Sequence, residues 1–193
     1  MNTPERALLL SLHPRFATAI LNGEKTVELR RQRVAVPPGT PVIIYATSPT
    51  MALTGTARLT GVDAAAPAQI WRRHRSNCGI RKAEYMTYME GATQASALLL
   101  DSPQPLTDTV PLAHLRHTGG FHPPQSYRYL TLHTLRTLLD GHSAATELLS
   151  HLGLAHTPTT VRPAAFSPSP QTASPHHAPH SVRPAALLAA PAS

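Results

Sequence analysis

The stretch Asn22-Gly23-Glu24-Lys25-Thr26-Val27-Glu28-Leu29-Arg30-Arg31 decides how the rest of this chain is read. Asn-Gly is a helix stop, because glycine enters the left-handed conformation that closes a helix without a steric penalty. Ahead of it Phe16, Ala17, Ala19, Ile20 and Leu21 recur at helical spacing. Behind it residues 25–31 alternate, with Thr26, Glu28 and Arg30 on one side and Val27, Leu29 and Arg31 on the other, the period of a half-buried strand. On that pattern Lys25 points away from Glu28 unless the turn bends the strand. A glutamate and an arginine on a half-buried strand have to be paired, since a lone buried charge is expensive. The pair is read either as a structural ion pair or as the floor of a binding cleft.

Outward from this stretch, residues 7–12 form an apolar run stopped by His13-Pro14, as expected of a buried strand. After the Val36-Pro37-Pro38-Gly39 turn, residues 41–47 and 51–62 are β-rich, with Gly55 marking a bulge or a close backbone approach. Short turns between these strands imply an antiparallel sheet. Residues 67–75, opening on a proline, and 82–88 read as helices; 95–101 and 127–132 return to strand character. The whole predicts an α+β fold: a small β-barrel or strongly curved sheet with packed helices. Leu135, Leu138 and Leu139, then Leu148, Leu149 and Leu152, suggest C-terminal helices that either cap the barrel or offer a partner surface.

Composition sets the bounds. Of 193 residues, 17 are Lys or Arg and 10 are Asp or Glu, a formal charge of +7, which favours polyanionic partners through counterion release. The excess is N-terminal: 14 basic against 8 acidic residues through His133, then 3 against 2. One cysteine, Cys78, excludes an intramolecular disulfide and a Cys-rich zinc site; a reducing cytoplasm is the expected compartment, with no membrane span and no cofactor. Residues 157–193 hold 8 prolines among Ala, Ser, Thr and His and are expected to be a disordered tail, in which His176, His177 and His180 are only a weak metal signal. The expected division is a domain over 1–133, a helical extension over 134–156 and the tail.

Two further segments carry polar groups at strand ends. Tyr45-Ala46-Thr47-Ser48-Pro49 presents hydroxyls at a rim, suited to sugar or phosphate oxygens. Gly119-Gly120-Phe121-His122-Pro123-Pro124 fixes a loop, and Gln125, Ser126, Tyr127 and Arg128 follow as a set able to stack and hydrogen-bond a base. Arg72, Arg73 and Arg75 form a second basic cluster beside Arg30, Arg31 and Arg33.

In order and spacing these pieces resemble the ASCH domain family, whose members have a PUA-like β-barrel. The resemblance rests on residues 11–31, with their helix and Gly-x-Lys-Thr-x-Glu-x-Arg pattern, on the rim at 45–49 and on 121–130, and covers about residues 7–132. It implies that Lys25, Glu28 and Arg30 line a cleft between barrel and first helix, faced by Ser48 and Ser126, and that the ligand is nucleic acid, usually RNA. Some members are amidohydrolases acting on an acylated cytidine with a Lys, a Thr and a Glu; Lys25 matches the first, but Glu28 stands in the threonine's place and 76–79 lacks the glutamate. RNA cleavage is a further implied activity, with His13, His122, Lys25 and Arg30 as candidate groups.

The expectation is therefore a binder of RNA or a nucleotide-like ligand in a basic cleft. Lys25 and Arg30 contact phosphate with Arg31 in the same cluster; Glu28 orients Arg30 or accepts from a base amine. Tyr45, Ser48, Gln125, Ser126 and Tyr127 supply rim contacts, and Arg72, Arg73 and Arg75 add sequence-independent affinity. The alternative is a hydrolase acting on RNA or an acylated nucleoside, using Lys25 with a carboxylate or histidine partner, Lys25 and Glu28 being the catalytic candidates. A third reading docks a protein partner on residues 135–152 and the proline-rich tail, so that a chain ending at Leu132 loses the partner but keeps nucleic-acid binding.

Overall fold

The computed structural model describes residues 6–154. The tail with its three histidines lies outside the described residues. The chain runs β1 (Arg6–Leu12), α1 (Pro14–Leu21), β2 (Val27–Arg30), β3 (Pro41–Ala46), β4 (Ala52–Ala65), α2 (Pro67–His74), α3 (Lys82–Tyr88), β5 (Ala95–Pro111), α4 (Leu112–Gly119), β6 (Tyr127–Thr131), α5 (Leu132–Leu138) and α6 (Ala145–His151).

Six strands make one mixed sheet in the order β2-β5-β4-β3-β1-β6. The expected α+β fold, a sheet with packed helices, is present; the edge strands β2 and β6 do not pair with each other, so the sheet does not close into a barrel. Nor are the three early strands a meander: β3 pairs antiparallel with β4 but parallel with β1, and β2 pairs with β5. Alternation specifies that a segment is extended, whereas its partner is chosen by burial of distant apolar residues. Here α1 and β2 form an excursion that brings β3 back beside β1 in the same direction.

The strand that begins at Ala95 runs on to Pro111, ten residues past the expected end, and α4 after it has no counterpart among the expected elements. Ser102, Pro103, Pro105 and Pro111 look like breakers, but β5 accommodates them through register shifts against β4, with Gly55 opposite Pro105. Gly55 is also the close approach anticipated: a Cβ there would fall inside contact of Leu21 on α1 and 2.7 Å from the Gln104 carbonyl.

Apolar side chains gather in three clusters. On one face of the sheet, Leu9, Ile43 and Tyr45 pack with Leu115, Phe121, Leu135, Leu138, Leu148 and Leu152 from the C-terminal half. On the other, Leu8, Leu10, Val42 and Ile44 pack against Ala17 and Ile20 of α1. A third cluster joins Val27 and Leu29 of β2 to Ile70, Cys78, Tyr85 and Met89 beneath α2 and α3. The leucines on which the docking reading relied are thus buried in the core, except Leu149, which packs against it partly buried.

Candidate functional site

Between α1, β2 and α3 lies a cavity of about 210 Å³ lined by Ser11, Leu12, His13, Phe16, Lys25, Glu28, Leu29, Arg30, Cys78, Ile80, Glu84 and Tyr88. Its floor is set by the turn that ends α1. The helix closes with the Asn22 N–H on the Thr18 carbonyl and the Gly23 N–H on the Ile20 carbonyl, both at 2.9 Å, Gly23 takes φ 78°, and the Lys25 N–H returns to the Ala19 carbonyl at 3.0 Å. The next two amides, Thr26 and Val27, both donate to the Asn77 carbonyl at 3.1 Å. Lys25 therefore sits before the strand rather than in it, and the bend carries it to the side of Glu28. Gly79, at φ 63°, crosses over the lysine stem so closely that a Cβ would lie 3.3 Å from Lys25 Cδ.

Lys25 is 2% exposed. Its ammonium donates to the Val27 carbonyl at 2.5 Å and the Cys78 carbonyl at 2.6 Å, and meets Glu28 Oε2 at 3.3 Å. An ammonium has three protons: two are engaged by the carbonyls, and the group faces the Glu28 carboxylate. Lys25, expected as a phosphate contact, here fastens the 76–80 loop to β2. Glu28 Oε1 in turn meets Arg30 Nη1 at 3.4 Å, and Arg30 Nη2 donates to the Ser11 carbonyl at 3.3 Å. Two cations flank one carboxylate, leaving the floor with one net positive charge. Arg30 Nε and Ser11 Oγ are buried without a partner, so the cavity floor offers a donor and a hydroxyl to whatever enters.

The mouth is basic. A second groove, lined by Arg15, Arg75, Ser76, Gly79, Ile80, Arg81 and Glu84, adjoins the cavity through Ile80 and Glu84. Arg15 is ion-paired with Glu84; Arg75 and Arg81 are exposed and have no carboxylate partner among the described residues. Arg81, Phe16 and Tyr88 were not expected at the site, because nothing in the sequence marks them as neighbours of the 25–30 segment.

The remaining expected site residues are dispersed. Arg72 is exposed on α2, and Arg73 is held by Asp63, 2.9 Å away, with His74 bonding the same carboxylate at 2.8 Å. These bonds, the one to His74 first, hold the Asp63 carboxyl below its ordinary range. Tyr45 is 2% exposed and belongs to the core on the C-terminal face, its ring 6.0 Å from that of Phe121; burial raises its phenol above the ordinary value. Ser48 and Gln125 are exposed. The Ser126 carbonyl accepts from the Ser11 amide at 3.0 Å, and Tyr127 packs against the apolar cluster under α1. None of these five lines the cavity, so the rim does not converge there as expected. Arg31 is exposed beyond the end of β2 and donates to the Glu90 carbonyl at 2.6 Å.

Comparison with known proteins agrees with this architecture. The ASCH domain family matches residues 10–101. An ASCH domain-containing ribonuclease of Zymomonas mobilis is 36% identical over 124 residues, 63% of this chain and 82% of the relative. The crystal structure of ASCH from Zymomonas mobilis superposes with a TM-score of 0.65 at 31% identity, covering 70% of this chain and 95% of that one. A large ribosomal subunit protein uL22 of Ureaplasma parvum is 33% identical over 89 residues, 46% of this chain but 28% of that protein. With helix, turn and Lys-Thr-x-Glu-x-Arg strand inside the matched region and most of a relative's length aligned, the chain belongs to the ASCH-domain family.

Proposed function

We propose that this protein binds single-stranded RNA, with one unpaired base in the cavity between α1, β2 and α3 and the adjoining phosphates on Arg75 and Arg81. The observation that carries this reading is the pairing of two environments. A small pocket walled by Phe16, Leu29, Ile80 and Tyr88 has a cationic, under-bonded floor, and it opens directly on a groove of exposed arginines. Its volume, about 210 Å³, is below the roughly 300–1,000 Å³ of sites for drug-sized ligands and suits one planar heterocycle. Aromatic walls stack on any base, while Glu28, Arg30 Nε and Ser11 Oγ offer an acceptor, a donor and a hydroxyl to its edge.

Filter binding against single-stranded RNA tests this. Affinity is expected to fall as salt rises, with Arg81→Glu and Tyr88→Ala each weakening binding several-fold; base stacking on an aromatic contributes roughly 1–3 kcal/mol. A flat salt response, absence of binding at low salt, or variants that bind like the parent sink the reading.

RNA cleavage is a second reading, favoured by the ribonuclease name of the Zymomonas relative. It finds little chemistry in the cavity. His13 Nδ1 accepts from the Arg15 amide at 3.3 Å, which engages that nitrogen in capping α1. His122 is not among the lining residues, and Lys25, Glu28 and Glu84, which are, stand in ion pairs. Labelled RNA recovered intact favours binding alone; fragments that accumulate in proportion to protein favour cleavage by groups outside the cavity.

A further inference from the structure

We infer that a second groove, at the opposite end of α3 from Arg75 and Arg81, is a phosphodiester-binding subsite built on Arg31 and Arg33, so that bound RNA crosses the cavity from one groove to the other. This rests on the proposed RNA binding and adds to it a direction and a second anchoring point.

The groove, about 510 Å³, is lined by Arg31, Gln32 and Arg33 of the segment after β2 and by Gly91, Ala92, Thr93 and Gln94 of the loop after α3. Three features make it a site for an anion. Both arginines are exposed, and neither has a carboxylate within ion-pair distance among the described residues. Both are anchored by the backbone: Ser96, fully buried, donates through Oγ to the Gln32 carbonyl at 2.9 Å and accepts from the Val34 amide at 3.1 Å, fixing the segment between them. The Arg31 side chain is itself aimed across the groove by its 2.6 Å bond to the Glu90 carbonyl, which leaves its other guanidinium protons for a ligand. A planar guanidinium matches the oxygens of a phosphate better than an ammonium does. The only acidic side chain on either lining segment or adjacent to it is Glu90, which is exposed.

The groove also lies next to the cavity along two segments of the chain. Arg31 follows Arg30 of the cavity floor, and Glu90 comes two residues after Tyr88 of the cavity wall. The first groove meets α3 at Arg81 and Glu84, the second at Glu90 and Gly91. Helix α3 has seven residues and is therefore about 10 Å long, so a few nucleotides span both grooves with the central base over the pocket.

The test measures the affinity of the full chain for one single-stranded RNA 12-mer over a salt series. The forms compared are the parent, Arg33→Glu, the double change Arg31→Ser with Arg33→Ser, and Arg136→Glu, an exposed arginine on α5 that alters net charge as much as Arg33→Glu. The two groove variants are expected to bind about tenfold more weakly, and the slope of log K against log salt to become shallower by about 0.7 for each phosphate no longer neutralised, while Arg136→Glu changes affinity less than twofold. Unaltered affinity in the groove variants, weaker binding with an unaltered slope, or an equal loss in Arg136→Glu overturns the subsite and leaves RNA binding standing. Absence of RNA binding by the parent overturns both.

Discussion

Lys25 shows how much one side chain holds together. Its ammonium bonds two buried carbonyls and faces one buried carboxylate, so Lys25→Met strands the two carbonyls and leaves Glu28 with Arg30 alone. Removing one member of a buried ion pair costs about 3–5 kcal/mol; urea unfolding of Lys25→Met is expected to show a loss of that size, with the 76–80 loop released first in hydrogen exchange. Asp63 makes a smaller, pH-dependent contribution. Its carboxyl is held below its ordinary value in the folded protein, so the stabilisation is complete above the unfolded-state pKa of about 3.9 and is lost as pH falls through the lower folded value. Asp63→Asn is therefore expected to lower stability at neutral pH by less than about 1 kcal/mol, given the half-exposed Arg73, and to flatten the acid limb of a stability-against-pH curve. The pairing of Glu28 with Arg30 was legible from residues 25–31, because two charges on a half-buried strand have to meet. The role of Lys25 was not, since its partners Val27 and Cys78 contribute carbonyls, and every residue has one.

At the scale of elements, α1 is held against the sheet by the gap that Gly55 leaves. Gly55→Ala places a methyl inside contact of Leu21 and 2.7 Å from the Gln104 carbonyl, and overpacking of this kind costs roughly 1–3 kcal/mol. Thermal unfolding of Gly55→Ala and of the double change Gly55→Ala with Leu21→Ala is expected to show a loss that Leu21→Ala relieves only in part, because the carbonyl belongs to backbone and does not retreat. The glycine's importance was readable from its position inside a β-rich run. The helix it admits was also readable, from the spacing of Phe16 to Leu21 and the Asn22-Gly23 stop. The contact between them was not, because residues 21 and 55 are adjacent only once β3 and β4 have folded back beside β1.

For the whole molecule, the C-terminal helices belong to the core. Leu135, Leu138, Leu148 and Leu152 are at most 2% exposed and pack with Leu9 and Ile43 of the central strands. Leu148→Ala is expected to cost about 2–5 kcal/mol, as for other buried leucines, measured by chemical denaturation. A chain ending at Leu132 bares one face of the sheet and is expected to lose its cooperative unfolding transition along with RNA binding, contrary to the expectation that binding survives such a truncation. Among the described residues no helix is long and apolar enough to cross a membrane, and no group of three or more His, Cys, Asp or Glu stands ready for a metal ion.

Local chemistry along the chain was enough to specify the opening strand, the helix with its Asn-Gly stop, the charged strand after it, the proline-started helix at Pro67 and the helix from Lys82. Each follows from periodicity and backbone preference within a dozen residues. Which strands pair, that the sheet stays open, and which side chains surround the cavity were settled by long-range packing alone. Those outcomes depend on burying apolar groups far apart in the chain, so Tyr45 was drawn into the core and Phe16, Ile80 and Tyr88 were brought to Arg30, although no local pattern distinguishes the two fates.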